Sequence, residues 1–391
     1  MLEAKLVIQV AGVFITENRI DCVIGDVVKD SVSRVGLEIP RTDNRIYRSI
    51  NKSELSPVEL INAAASWIIR NSKNIESIAI GCFGPFEDLD NETISKTGDY
   101  IKYGVLSDVP QYKGWAGTHI YHLFRGKFSD SAMNPIIRVY TDVDVAAYGE
   151  YWYLATRSGD ATGNVPHYLE NASLVFLSIS RSINGGIAYK GDIWHGRHHP
   201  LMSIYKPNRY SYMKPNGQMW VDDYAGCCPF HGDCIEGLIG ISALEERTKL
   251  DFDKIPLDDE ELWDLVSYYI ASLCVTVTGM LAPSRIVLGG RILREKTNIE
   301  FASKLVQMVR GHFYDMISAS DPNFLREYAK RRPNMSAFTS PRYPELLNED
   351  EFINLPAIPI VDGELRESMP GRHGALRLAV NQLMRSSKNG R

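Results

Sequence analysis

The sequence predicts an α/β fold, because segments of strand character alternate with segments of helical character in both halves of the chain. The 391 residues allow two or three domains. Hydrophobic residues make up 44% and charged residues 23%, which is typical of a globular protein with a large buried core. The net charge of -5 argues against a dedicated nucleic-acid-binding protein and gives no reason to expect an anionic membrane surface as partner.

The first half of the chain carries the clearest local signals. The predicted elements are strands over 5–13 and 18–24, a helix over 57–71 and a strand over 75–80. Ser56 suits the N-cap of this helix, Pro57 its first position and Glu59 its third, and together they predict a capping box.

The second half repeats the alternation. The predicted elements are a strand over 136–141, a helix over 144–153, strands over 173–180 and 184–190, helices over 241–250 and 258–282, a strand over 285–288, and helices over 298–313 and 371–384. The sequence Asn184-Gly185-Gly186 predicts a hairpin turn. The polar stretches 155–171 and 318–356 are expected to be insertions or long loops. The apolar run 262–282 is long enough to cross a membrane, but it contains Asp264 and several hydroxyl groups, which favours a buried core helix.

Three of the six cysteines, Cys227, Cys228 and Cys234, lie within eight residues beside His231. No secretory signal is visible, so this cluster indicates a metal site before a disulfide, and we expect a cytoplasmic protein. The spacing of Cys228, His231 and Cys234 suits tetrahedral zinc. The alternative is three free, reduced side chains in a loop.

Four segments, in chain order, resemble motifs of the ROK family of sugar kinases. They are Gly81-Cys82-Phe83-Gly84-Pro85, the run from Thr141 to Glu150, the run from Cys228 to Gly237, and the run from Arg285 to Gly290. The metal loop is most similar to that of the bacterial fructokinase branch. The resemblance covers about 5–310 and 357–385. It implies a two-domain actin-like (ribonuclease H-like) ATPase and sugar-kinase fold with a zinc loop and two insertions.

The resemblance also implies how the domains divide. A smaller α/β domain is expected over 1–125, with the helix at 371–385 packing back on it. A larger α/β domain is expected over 126–370, with the zinc loop and the insertion at 318–356. ROK proteins usually form homodimers, and we expect the same here. The expected partner is a small molecule, a carbohydrate or a derivative of one, with no nucleic acid and no membrane.

The resemblance assigns a catalytic base and a sugar pocket. Asp142 matches the aspartate that takes the proton of the attacking sugar hydroxyl, which suits a carboxylate. The alternative role of Asp142 is that of a helix N-cap. The positions that match the sugar pocket are Gly84, Pro85, Gly114, Trp115 and Glu236. For Gly84 the alternative is a plain turn.

Two family positions near the sugar are altered. Ile204 occupies the position of the fourth zinc ligand, so we expect His199 to substitute, with His198, Cys227 or water as alternatives. Leu201 occupies the position of a sugar-binding glutamate, and an aliphatic side chain accepts no hydrogen bond from a sugar hydroxyl.

The phosphate loops differ most from the family. Val10, Phe14 and Ile15 match the Asp, Thr and Lys of the family's Asp-x-Gly-Gly-Thr-Lys turn, and here we expect a buried strand with a hairpin bend. The run from Ser180 to Gly186 matches a glycine-rich loop but keeps only two of its glycines. The residues left for a nucleotide are Gly185, Gly186, Gly289 and Gly290. Arg181 either contacts an anion, pairs with a carboxylate or fills the phosphate position.

These differences separate two main hypotheses. The first is a ROK-fold protein that does not use Mg-ATP in the family manner, and either binds a sugar-like small molecule or performs ATP-independent chemistry centred on Asp142. The second is an ATP-dependent, fructokinase-like kinase with Asp142 as the base. A transcriptional repressor is disfavoured, because the chain begins directly with the first predicted strand and not with a helix-turn-helix.

Overall fold

The structure is a computed structural model, and it describes residues 6–16, 19–29, 35–38, 46–50, 55–89, 102–108, 114–158, 173–194, 202–293, 298–317, 352–355 and 368–389. The chain divides into two compact units. The first comprises Met1–Pro166, Gly186–His198 and Ile358–Arg391, and the second comprises His167–Gly185 and His199–Ala357. The boundary predicted after residue 125 therefore falls inside the first unit.

The elements are numbered in chain order. They are β1 (Leu6–Thr16), β2 (Arg19–Lys29), β3 (Val35–Glu38), β4 (Ile46–Ile50), α1 (Pro57–Asn71), β5 (Ile75–Cys82), α2 (Ile120–Ser129), β6 (Ile136–Thr141), α3 (Asp142–Ser158), β7 (Ser173–Ile179), β8 (Ile183–Tyr189), β9 (Asp192–Ile193), β10 (Ser211–Met213), β11 (Met219–Val221), α4 (Ile235–Ile239), α5 (Ile241–Thr248), α6 (Glu260–Leu281), β12 (Arg285–Gly289), α7 (Ile299–Ile317), β13 (Ile353–Asn354) and α8 (Ser368–Asn389). Short 3-10 helices lie at Met202–Ile204, Phe252–Lys254 and Arg291–Leu293.

The first unit is built on a sheet with the strand order β3-β2-β1-β5-β6, and β4 also pairs with β2. β1 and β2 are antiparallel, whereas β1, β5 and β6 are parallel. The parallel pairing of β6 with β5 is the physical reason that residues 136–141 belong to this unit and not to a separate domain.

Both faces of this sheet are covered. Ala11, Val13 and Ile15 of β1 pack in one hydrophobic cluster with the buried side of α1. Val10 and Phe14 face the other way and pack with α8. Gly12 is needed here, because a Cβ at this position would lie 2.6 Å from the backbone nitrogen of Leu376. The C-terminal helix thus packs directly on the first strand.

The start of α1 matches its prediction. The hydroxyl of Ser56 accepts a hydrogen bond from the backbone N–H of Glu59, and the Glu59 carboxylate accepts one from the backbone N–H of Ser56 at 2.8 Å. This is the predicted capping box, with Pro57 in the first turn.

A second sheet has the strand order β13-β12-β7-β8-β9, with β12 parallel to β7 and to β13. β13 corrects the prediction for 318–356, because the end of that stretch is part of the sheet: Phe352 and Ile353 are buried, and the backbone N–H of Ile286 donates to the carbonyl of Phe352 at 2.7 Å. Similarly, α3 runs to Ser158, into the other predicted insertion.

α6 is the one helix among the described residues that is long and apolar enough to cross a membrane. A buried core helix passes the same test, and 11 of its 22 residues are buried, including Trp263 and Tyr269.

Candidate functional site

Three strand ends of the first unit lie at one edge of the sheet. Ile15 of β1 is in register with Cys82 of β5, and Cys82 is in register with Thr141 of β6. Because these strands are parallel, the residues that follow them meet at the same carboxyl edge, where α/β proteins commonly bind ligands. Asp142 and Thr16, the last residue of β1, therefore share this edge.

Val10–Ile15 form the expected buried strand, but the hairpin bend expected within them is absent. These residues lie inside β1 and pair continuously with β2, from Val10 opposite Gly25 to Ile15 opposite Ile20. Thr16 pairs with Arg19, and the two residues between them, Glu17 and Asn18, lie outside the described ones. The residues that match the family's phosphate turn therefore lie inside a strand. Their side chains do not show that such a turn is lost.

Asp142 is the first residue of α3, but Thr141 caps this helix. The backbone N–H of Asp144 donates to Thr141 Oγ1 at 3.2 Å, and Thr141 Oγ1 donates to Asp144 Oδ2 at 2.6 Å. Thr141 thus supplies an N-cap side chain in a Thr-x-x-Asp sequence, a signal that our prediction missed. The N-cap role considered for Asp142 therefore falls to Thr141.

The electrostatics of Asp142 differ from those of an ordinary surface carboxylate. Burial raises its pKa from the usual value to about 6, the backbone N–H of Val143 opposes this rise with a hydrogen bond of 2.9 Å, and the neighbouring Asp144 adds to it. Cys82 lies next to this carboxylate, and burial followed by the charge of Asp142 raises the pKa of its thiol. A carboxylate with a raised pKa at a strand end is a candidate general base.

The predicted sugar-loop residues lie beyond β5 at the same edge. Gly84 and Pro85 are joined by a cis peptide bond, and the carbonyl of Pro85 accepts from the backbone N–H of Ser107 at 2.9 Å. Trp115 is buried, and its ring meets that of Phe83 edge-on at 5.1 Å. Trp115 therefore anchors the loop that follows β5.

Two glycines predicted to form a turn lie within β8 instead. A Cβ at Gly186 would lie 2.1 Å from the carbonyl oxygen of Val143, so Gly186 lets β8 approach the start of α3 beside Asp142. Gly185 belongs to the second unit, where a Cβ would meet the side chain of Met202. Close packing, and not turn formation, is what these glycines provide.

Ser180, Arg181 and Ser182 form the turn between β7 and β8, the 180–182 turn. The backbone N–H of Ser180 donates to the carbonyl of Ser182 at 3.2 Å. Arg181 donates to Ser242 Oγ at 2.8 Å and lies 3.8 Å from the carboxylate of Glu245. Of the alternatives for Arg181, the structure has the one in which it pairs with a carboxylate.

β12 ends at Gly289, and Gly290 follows it beside this turn. Gly290 has a φ of +104°, and a Cβ there would lie 2.4 Å from the backbone of Ile179. The backbone N–H of Arg291 then donates to Ser180 Oγ at 2.8 Å. The second unit thus brings the ends of β7 and β12 together.

The predicted metal ligands converge. The ligand atoms of Cys228, His231 and Cys234 all lie within 4.8 Å of one another. Tetrahedral zinc places sulfur and nitrogen ligands about 3.5–3.8 Å apart, so the donor set and its spacing fit this ion. Two backbone hydrogen bonds between Cys228 and Gly232 close the loop. Burial raises the pKa of Cys234 to about 11. His199 lies outside the described residues.

Sequence reasoning missed the groups that hold this metal loop. Asp233 accepts from Lys206 Nζ at 2.7 Å and from Arg209 at 3.3 Å. Arg209 also donates to the carbonyl of Tyr224 at 2.5 Å. These contacts join distant parts of the chain, which no local spacing indicates.

The structure distributes the predicted site residues over both units. Asp142, Gly84, Pro85, Gly114, Trp115 and Gly186 belong to the first unit, and Arg181, Gly185, Glu236, Gly289, Gly290, Cys228, His231 and Cys234 to the second.

Comparisons with known proteins agree on one family. The sequence profile of the ROK family matches residues 50–324, more than half of the chain. A fructokinase from Lactococcus lactis subsp. cremoris is 29% identical over 271 residues, which are 69% of this chain and 80% of that protein.

Two solved structures share the fold. A ROK hexokinase from Thermus thermophilus superposes with a TM-score of 0.54 at 15% identity, covering 96% of this chain and 100% of that one. A ROK family glucokinase from Streptomyces griseus, in complex with glucose and AMPPNP, superposes with a TM-score of 0.52 at 14% identity, covering 95% and 99%. These neighbours establish the actin-like ATPase and sugar-kinase fold.

Proposed function

Because the chain belongs to the ROK family, we propose that it is an ATP-dependent sugar kinase, which transfers a phosphoryl group to a hydroxyl of fructose or a similar hexose. The observation that carries the proposal is the carboxylate of Asp142 at the carboxyl edge of the sheet. Its pKa is raised, and Thr141, not Asp142, caps the helix that begins there. This reverses the first hypothesis from the sequence, which rested on residues that lie inside β1, on the altered loop from Ser180 to Gly186 and on Leu201.

Asp142 acts as the base in this proposal. It accepts the proton of the sugar hydroxyl as that oxygen attacks the γ-phosphorus of Mg-ATP. The bond from this phosphorus to the β–γ bridging oxygen breaks, and ADP leaves. The loop of Gly84, Pro85 and Trp115 orients the sugar. Phosphoryl transfer depends mainly on positioning and on stabilising charge, so a base of matched pKa is one contribution among several.

The pH dependence follows from the pKa of Asp142. Only the ionised carboxylate can accept the proton, and its pKa is raised to about 6. We expect kcat/KM to rise with pH and to level off above an inflection near 6. Steady-state rates from pH 5 to 8, at saturating Mg-ATP, check this result. A profile that stays flat below pH 6 contradicts the assignment of the base.

We expect zinc to be structural, held by Cys228, His231 and Cys234 with a fourth ligand such as His199. Removal of the metal with 1,10-phenanthroline should lower the Tm, because an ion that binds only the folded chain stabilises it. Elemental analysis should find about one zinc per chain, and Cys228→Ser should lose it. A chain that keeps its Tm after chelation, or contains no metal when purified, contradicts this expectation.

A second candidate function has one observation in its favour. Within the 180–182 turn and the residue after it, two backbone N–H groups are already bonded inside the protein: Ser180 donates to Ser182, and Ile183 donates to Glu236. Such a turn offers fewer donors to a phosphate than an open glycine loop does. A sugar-binding protein without kinase activity would have the same turn.

A kinase assay separates the two candidates. The purified chain with Mg-ATP is offered fructose, glucose, mannose and amino sugars in turn, and ADP release is followed by a coupled assay. The proposed function requires ADP release that depends on one of these sugars. Sugar binding seen by calorimetry without ADP release supports the second candidate and contradicts the first.

A further inference from the structure

The 180–182 turn is tied to the start of α5. The carbonyl of Ser180 accepts a hydrogen bond from the backbone N–H of Ile241 at 3.2 Å. The guanidinium of Arg181 donates to Ser242 Oγ at 2.8 Å. A Cβ at Gly240 would lie 2.9 Å from the carbonyl oxygen of Arg181, so the backbones are in direct contact. The position of the turn therefore depends on the segment that precedes α5.

Glu236 on this segment holds the turn with one oxygen. Its Oε2 accepts from Ser182 Oγ at 2.8 Å and from the backbone N–H of Ile183 at 3.2 Å. Asn184 Nδ2 donates to the same Ser182 hydroxyl at 2.9 Å, which fixes the rotamer of Ser182. Hydrogen bonds to a charged acceptor are the strong ones, so this carboxylate restrains both the side chain and the backbone of the turn.

The segment itself is built on the metal loop. α4 has only five residues, too few to be stable alone. Its N-cap is the metal-ligand residue Cys234. The backbone N–H of Cys227 donates to the carbonyl of Gly237 at 3.0 Å, and a Cβ at Gly237 would lie 1.9 Å from the carbonyl oxygen of Gly232. Glu236 therefore lies between the metal loop and the 180–182 turn. It is hydrogen-bonded to the turn and follows the metal loop in sequence.

We infer that Glu236 is a positioning residue that couples the order of the metal loop to the 180–182 turn, and so to the affinity for the nucleotide phosphates. The inference rests on the proposed kinase function for its nucleotide part only. It adds to the sugar-contacting role that the family resemblance implies for Glu236, and the two roles have different kinetic consequences.

Steady-state kinetics separate these roles. Glu236→Ala should raise the KM for Mg-ATP about tenfold, because the turn loses two hydrogen bonds. Glu236→Gln should restore part of the affinity, since its amide oxygen still accepts hydrogen bonds. Glu261→Ala, an exposed glutamate of α6, is the matched control and should behave as wild type. A rise in the sugar KM with an unchanged KM for Mg-ATP overturns the inference.

A double-mutant cycle tests the contact itself. Ser182→Ala removes the hydroxyl that donates to Glu236 and should raise the KM for Mg-ATP by a few-fold. If the two residues act together, the double variant should be weaker than wild type by less than the product of the single effects. Effects that multiply fully show that Glu236 does not act through Ser182, and overturn this step.

Hydrogen exchange provides a readout that needs no activity. In the intact, metal-loaded chain the backbone N–H of Ile183, which donates to Glu236, should exchange slowly. Both Glu236→Ala and treatment with 1,10-phenanthroline should speed its exchange, with α1 unaffected. Unchanged exchange in both cases overturns the coupling, whether or not the chain is a kinase. Absence of sugar-dependent ADP release from the wild type, together with faster exchange in the variant, overturns the proposed function while the positioning role of Glu236 stands.

Discussion

Asp142→Asn should abolish sugar phosphorylation without weakening the fold. We expect kcat to fall by about 10²–10⁴-fold, the usual contribution of a positioned general base. The amide retains an oxygen that accepts from the backbone N–H of Val143, so the start of α3 is preserved. Rates of ADP release and the Tm, measured on the same preparation, check both parts.

The ionisation of Asp142 should lower the stability of the folded chain. The pKa of Asp142 is raised to about 6 in the folded chain, so its contribution to stability is fully present below the unfolded value near 4 and is lost as the pH rises through 6. The neutral Asn variant avoids this loss, and its Tm at pH 7 should equal or exceed that of wild type. Asp130→Asn, at an exposed position after α2, is the control for activity. An Asp142→Asn variant with normal turnover removes this carboxylate from the mechanism.

Asp222→Ala should strongly destabilise the folded chain. Asp222 is buried, accepts two hydrogen bonds from Arg247 at 2.9 and 2.8 Å, and accepts a third from Tyr269 at 2.6 Å. Removing its carboxylate leaves the guanidinium of Arg247 in the interior without this partner. We expect the free energy of unfolding to fall by about 3–5 kcal/mol. Urea unfolding should show a lower midpoint with an unchanged slope.

The control is an ion pair of similar length at the surface. Asp251 and Lys254 lie 2.6 Å apart but are both exposed, so Asp251→Ala should leave the midpoint unchanged. Burial raises the pKa of Asp222, but the hydrogen bonds from Arg247 and Tyr269 outweigh it and hold the pKa below its usual value. The stabilisation is therefore complete above about pH 4 and is lost at lower pH. Equal midpoints for the two variants contradict a stabilising role for the buried pair.

Local chemistry made part of the fold predictable. The capping box of Ser56 and Glu59 gave the start of α1, because its signal is contained in four residues. The metal ligands Cys228, His231 and Cys234 were found for the same reason, since a tight loop brings near neighbours together. β6 and the helix after it were predicted from β-branched residues followed by acidic ones.

Pairing and close packing were not predictable in this way. Nothing in Val10–Ile15 shows that β1 continues to Thr16, since the pairing partner in β2 decides where the hairpin turns. The sequence Asn184-Gly185-Gly186 has the composition of a turn, yet Gly186 serves contact with the backbone of Val143, which is remote in sequence. The role of Glu236 was hidden for the same reason, because both of its partners lie more than fifty residues away.

Calorimetric titration of the metal-loaded chain with Mg-ATP tests the proposed kinase function most directly. A sugar kinase of this family must bind the nucleotide, whatever the composition of its loops. The proposed function predicts a heat of binding at micromolar to low-millimolar affinity, accompanied by a rise in Tm. No heat, together with a Tm that Mg-ATP leaves unmoved, would contradict the kinase function and leave a sugar-binding protein in its place.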